Sequence, residues 1–396
     1  MDQLESFSLL GRIQKIALIV GGAGVVAAVI GFLLSPAVFF QSYLLGYLYW
    51  VHLALGCLAV LMLQYLTGGR WGWTIRRILE AGALTLPLLA VLFIPLIFGL
   101  TALYSWTHVD EVAKSEVLAH KAIYLNPPFF LWRTLLYFII WIGLAYLLNR
   151  WSRQQDQTGQ PGLTGRLKVT STVGIILFML TSTFAAFDWM MSLEPEWFSS
   201  IYGVLFIAGQ GLGGMALAIL SLKRLDTLPP LAGRPLVNVF NDLGNFLLAF
   251  VSFWAYIAFS QFLIIWSGNL PEEIIWYTTR TEGSWQYVAQ LLIAFHFALP
   301  FALLLSRTIK RQPAVLAGLA GLVLVMRLVD LFWLTIPALR PAGLSIHWLD
   351  LALPVGMGGL WLAYFTWLLQ RRPLLPLYDD LQPAPGVASQ EVVVHE

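Results

Sequence analysis

Apolar runs of twenty or more residues recur along this chain, and nothing else constrains its fold as strongly. A run of that length crosses a hydrocarbon core roughly 30 Å thick as a helix. Lipid offers the backbone no partners, so each N–H and C=O must be satisfied inside the segment. Ten such runs are read, at 12–34, 43–66, 79–103, 129–148, 167–189, 198–222, 241–267, 284–306, 313–336 and 347–369. Composition agrees: 59% of the 396 residues are hydrophobic and 11% are charged, against roughly 25% charged in a soluble domain. The predicted fold class is an all-α integral membrane protein with ten transmembrane helices. The N-terminus leads into a full-length span, so no cleavable signal peptide is expected. The connection 104–128 is expected to carry a short amphipathic helix, and the Pro-rich, then polar, tail after Pro373 is expected to be disordered or draped on a neighbour.

The basic residues sort to one side of this pattern. Arg12 and Lys15 precede the first run, and Arg70, Arg76 and Arg77 follow the second. Arg150, Arg153, Arg166 and Lys168 follow the fourth, Lys223, Arg224 and Arg234 the sixth, Arg307, Lys310 and Arg311 the eighth, and Arg371 and Arg372 the tenth. The positive-inside rule then puts both termini in the cytoplasm, and a bacterial inner membrane is the expected location. The single cysteine, Cys57, excludes a Cys-ligated iron–sulfur cluster, a CxxCH haem site and a disulfide framework within the chain. Any redox centre would be held by histidines or by another subunit. The cluster Gly209, Gly211, Gly213 and Gly214 lies inside a span with no preceding strand, so it reads as close helix packing and not as a nucleotide loop. No nucleic-acid partner is expected.

Two stretches hint at an internal repeat. Asp188 ends the fifth run seven residues before Pro195, and Asp330 nears the end of the ninth seven residues before Pro337. Glu80 and Asp242 each open a span after a Gly-Arg pair. Spans 2–5 and 6–9 are thus read as two four-helix bundles in parallel orientation, with two flanking helices. The expected division is 1–42 for the N-terminus and first flanking helix, 43–197 and 198–340 for the bundles, 341–372 for the last flanking helix and 373–396 for a cytoplasmic tail.

Charges inside spans are functional candidates because hydrocarbon penalises them. Arg327 and Asp330 share a helix face at i and i+3. They read either as a salt bridge locking helices or as a proton-relay or quinone-headgroup site, and Asp188 carries the same two readings. Glu80 and Asp242 sit where helix N-termini favour acids, and their matched positions also suit proton entry. His52 and His296 lie mid-span, where a histidine is most often a hydrogen-bonded core residue; His296 could instead accept a proton from a quinol hydroxyl. Asp350 opens the last span beside His347.

Several segments then carry a resemblance: FDWMMSLEPEWFSSIYG, LTGGRWGWTIRRILEA, YLNPPFFLWRTLLYF, AFHFALPFALLLSR and MRLVDLFWLTIP. Together they resemble the polysulfide-reductase-like (NrfD-like) membrane subunits of bacterial alternative complex III, and most of all the smaller of its two such subunits, from about Leu44 to Trp367. The resemblance implies ten helices in two bundles and a place in a quinol:cytochrome c oxidoreductase. It implies a sister NrfD-like subunit, a periplasmic iron–sulfur subunit, haem c subunits and small membrane subunits as partners. No covalently bound cofactor is expected; menaquinone or ubiquinone and phospholipid are the expected small-molecule companions. Asp188, Arg327 and Asp330, and more weakly Glu80, stand in the matching motifs as candidates for a proton route. Asp242 joins that route, and His52, His296 and Asp350 join a quinone site, on the residue-level reading alone. A structural anchor and a secondary transporter are the alternative functions.

Overall fold

The computed structural model describes residues 2–160 and 162–377; the remainder of the expected tail, 378–396, lies outside them. Among the described residues there is no strand, and ten helices are long and apolar enough to cross a membrane. They are α1 (Leu9–Leu34), α2 (Pro36–Thr67), α3 (Arg70–Phe98), α4 (Pro127–Thr158), α5 (Gly162–Leu193), α6 (Tyr202–Leu225), α7 (Val237–Gly268), α8 (Trp285–Leu305), α9 (Pro313–Leu339) and α10 (Leu349–Gln370). All ten expected runs are present.

Local chemistry sets the ends. Pro36, Pro127 and Pro313 open α2, α4 and α9, where a missing N–H costs nothing and the fixed φ suits the first turn. Asn126 caps α4 by accepting from the Phe129 N–H at 3.0 Å. At its other end α4 outruns the expected 129–148 by ten residues and stops at Gly159, whose φ of 64° closes the helix in the left-handed region. The extension brings Ser152 and Asp156 to the basic side of the molecule.

Two spans are irregular, both at prolines. Pro87 and Pro95 divide α3 into Arg70–Ala83, Leu86–Leu92 and Ile94–Phe98. In α8, Pro300 has no N–H for the carbonyl of His296 and its ring crowds that carbonyl. The segment Leu292–Ala298 answers by widening into a π-helix.

Helix neighbours form two circuits. In the first, α2 packs on α3 and α5, and α4 on the same two; in the second, α6 packs on α7 and α9, and α8 on the same two. The circuits meet where α2 lies against α6, the two most buried spans. A Cβ on Gly56 would stand 1.9 Å from the Gln210 carbonyl oxygen, and one on Gly214 would stand 2.4 Å from the Gly56 backbone. Only glycine lets these backbones approach so closely, which is how helices associate without a hydrophobic driving force between them. α1 pairs with α10 in the same way, through Gly24 on Gly356, beside the first circuit. On the side away from the basic loops, short helices Val109–Lys114, Glu116–Lys121 and Pro271–Thr281 cover the span ends.

Candidate functional site

Asp188, at the far end of α5, is fully buried, and both of its carboxylate oxygens accept hydrogen bonds. Arg133 of α4 donates two parallel bonds, Nε to Oδ2 at 2.9 Å and Nη2 to Oδ1 at 2.8 Å. Tyr137 adds a third at 2.7 Å. Arg133 is itself covered by the Tyr124 and Phe129 rings, at 3.7 and 4.3 Å. Around this group Phe93, Phe138, Trp141 and Trp189 pack in edge and offset contacts. Arg133 is legible in the sequence as an in-span charge; its pairing with Asp188 is not.

The stretch after Asp188 ties the two circuits together. Glu194 receives both Nη atoms of Arg280, at 3.2 and 2.5 Å, and Trp197 stacks on Trp276 with centroids 4.7 Å apart. Arg280, wholly buried, also lies 3.9 Å from the Trp276 ring and donates to the Leu334 carbonyl of α9. The Glu194–Arg280 pair went unrecognised in the sequence, where Arg280 stands merely in a connection. Pro195, outside any helix, accepts from Lys121 at 2.5 Å, whereas Pro337 lies within α9. The Asp-to-Pro stretches therefore occupy different environments.

Asp330, on α9, has the opposite surroundings. Arg327, a turn earlier, donates Nη1 to Oδ2, and Trp254 of α7 donates to the same oxygen at 3.2 Å. The carboxylate also lines a cavity of about 730 Å³. Its walls come from α6, α7, α8, α9 and the helix Pro271–Thr281, and they are almost entirely apolar: Trp254, Phe259, Phe297 and Trp333 are typical. Besides Asp330, the polar side chains of Ser252, Tyr256, Gln261, Tyr277 and Thr281 border the cavity, and the Tyr277 hydroxyl accepts from Gln261 at 3.3 Å. Burial pushes the Tyr277 phenol up to about 12, so it stays a neutral donor at ordinary pH. Tyr256, Phe259 and Ile293 line the cavity and are also exposed on α7 and α8, so the cavity opens sideways between those helices. α7 and α8 pack mainly through Leu299–Leu305, at their basic ends, which leaves them parted above. A large apolar cleft with one convergent charged group is the usual form of a small-molecule site.

The remaining candidates are scattered. His296 is buried with its ring 4.3 Å from Trp254, and among the described residues no group bonds either nitrogen. His52, on α2, packs on Phe206 at 4.2 Å near Arg327. Asp350 is held by Arg340 at 2.8 and 3.0 Å, by Ser42 at 2.5 Å and by the His347 N–H at 2.8 Å. It borders a separate apolar cleft of about 370 Å³ that includes Leu45, Val329 and Phe332.

On the basic side, Glu80 is 1% exposed and accepts from Arg77 and Arg372 at 2.7 Å each, from Ser152 at 2.5 Å and from Tyr65 at 3.1 Å. Arg77 also pairs with Asp156. Burial lowers the Arg372 guanidinium from its ordinary value, which the Glu80 carboxylate partly offsets. Asp242, the position expected to match Glu80, is exposed and makes no ion pair among the described residues. The structure thus brings Arg327, Asp330 and His52 near one another, sets His296 against the Trp254 that donates to Asp330, and leaves Glu80, Asp188, Asp242 and Asp350 in four separate places.

Among the described residues, no group of three or more His, Cys, Asp or Glu side chains is placed to hold a metal ion. No family model matches the chain, and no curated protein matches it either.

Proposed function

We propose that this chain is an integral membrane subunit of a quinol:cytochrome c oxidoreductase, or of a complex with an equivalent extracytoplasmic acceptor, in a bacterial inner membrane. The observation that carries the reading is the lateral cavity at Asp330: apolar walls, a mouth between two lipid-facing helices and one buried carboxylate. A quinol is an apolar tail bearing a hydroxylated ring, and it reaches its enzyme from within the bilayer. The basic loops support cytoplasmic termini, which sets the cavity towards the extracytoplasmic half. Arg327 and Trp254 hold the Asp330 side chain in place by donating to its Oδ2. That carboxylate can then accept a hydrogen bond, and subsequently the proton, of a quinol hydroxyl. Trp254 and Trp333 offer aromatic faces to such a ring, and Tyr277 offers a hydroxyl donor elsewhere on the wall. Electrons would leave to partner subunits, since this chain has no cysteine set for a cluster. The sequence segments resembling NrfD-like subunits support the same partners: a sister subunit of that kind, an iron–sulfur subunit, haem c subunits and small membrane subunits.

An affinity tag on this chain tests the reading. Haem c and iron–sulfur subunits should copurify, and Asp330→Asn should assemble normally while quinol oxidation falls by at least an order of magnitude. A solitary protein with none of these partners would sink the proposal. One observation favours the structural-anchor alternative: Glu80, Asp188 and Asp350 are all locked by ion pairs between helices or segments. Wild-type turnover after joint neutralisation of Asp330 and Arg327 would select it.

A further inference from the structure

Beside the Asp330 pair, two side chains from different circuits face one small void. His52, 2% exposed on α2, places Nδ1 2.6 Å from the Leu48 carbonyl one turn earlier. A carbonyl only accepts, so Nδ1 carries the proton and the neutral ring leaves Nε2 as an acceptor. Among the described residues no donor reaches Nε2. Across the void, Arg327 of α9 gives Nη1 to Asp330. Among the described residues no acceptor takes its Nε or Nη2, although all its N–H groups are obligate donors. The guanidinium reaches this position because residue 209 has no side chain: a Cβ there would stand 2.2 Å from Nη2. His52 and Arg327 both line the void, closed by Met190, Tyr202, Phe206 and Leu331, and its volume is about 10 Å³. That is close to the space one water needs, and a buried water requires two or more polar partners.

We propose that this void is a binding site for a single structural water, which donates to His52 Nε2 and accepts from Arg327. The site rests on geometry alone and stands whether or not the chain serves a quinol oxidoreductase. It joins α2 to α9 across the meeting of the two circuits, extending the chain of contacts from Asp330 through Arg327 to His52. His52 is then a positioning residue: through the water it fixes which Arg327 nitrogen remains for Asp330. Nothing in the sequence pairs these residues, which stand 275 positions apart.

A density map of the full-length protein in its native membrane assembly, sharp enough to resolve its other buried waters, tests this. Expected is a peak about 3 Å from both His52 Nε2 and an Arg327 nitrogen; no peak, or a direct His52–Arg327 contact, overturns the site. Infrared difference spectra in H₂¹⁸O add a readout that packing alone would not move. An isotope-sensitive band of the wild type should vanish in His52→Leu and return in His52→Gln, whose amide restores an acceptor. The same band surviving in His52→Leu overturns the proposal, and should that variant fail to fold, the wild-type map decides.

Discussion

Asp188 and Asp330 both lie towards the ends of spans on the side away from the basic loops, yet one is sealed and the other opens on a cavity. Arg133 reaches Asp188 from a neighbouring helix and fills both carboxylate oxygens, with Tyr137 completing the set. Aromatic rings then occupy the space around it. Arg327 reaches Asp330 from the same helix, so this ion pair does not itself tie two helices as Arg133–Asp188 does, and beside it lies a cavity of about 730 Å³ where the first circuit has packed rings. The lesson concerns capacity. A carboxylate whose two oxygens take three donors among packed rings offers little to a ligand, whereas one that borders a cavity has an oxygen within a ligand's reach. The same contrast holds on the basic side, where Glu80 is enclosed by four donors and Asp242 is exposed.

Arg133→Met leaves the Asp188 carboxylate buried without its cation, and the expected loss is about 3–5 kcal/mol of stability. Thermal unfolding in detergent should show it as a large fall in midpoint; a fall no greater than that of Asp330→Asn would erase the distinction. Trp141→Ala opens a void in the ring cluster and should cost nearly as much, about 3–5 kcal/mol, read by the same melt. Asp330→Asn keeps the shape and borders a space that water can enter, so the expected loss is smaller, about 1–3 kcal/mol. Its principal effect should be on the proposed quinol oxidation. Ala258→Phe fills part of the cavity from α7; stability should move by less than about 1.5 kcal/mol, while binding of an apolar quinol analogue to the assembly should fall at least tenfold. Asp242→Asn should change stability by no more than about 0.5 kcal/mol, and a larger change would mean that the exposed acid has a partner in the assembly.

Legibility differed by kind of feature. The ten spans were readable because hydropathy is a local property averaged over twenty residues. The close-packing role of Gly209–Gly214 was readable too, since a glycine cluster in a span with no preceding strand has few other uses. Arg327 with Asp330 could be paired because i and i+3 share a face. The ten-residue extension of α4 was missed because Ser152, Gln155 and Asp156 are polar, and hydropathy ends a span where polarity begins. The bonds Arg133–Asp188, Arg340–Asp350 and Arg372–Glu80 were out of reach, as was the cavity itself.

By itself, then, the sequence determined that the chain is a bundle of apolar helices, how many there are, and which connections carry the positive charge. Each follows from how a residue partitions between lipid and water, and partitioning needs no neighbours. The tertiary structure alone decided which helix touches which, which arginine neutralises which acid, and where packing leaves a space. In a soluble helix the polar face would reveal the rotation. Here lipid-facing and core-facing surfaces are both apolar, so the pattern carries no phase. A buried charge announces that it has a partner, and only the assembled helices show which one.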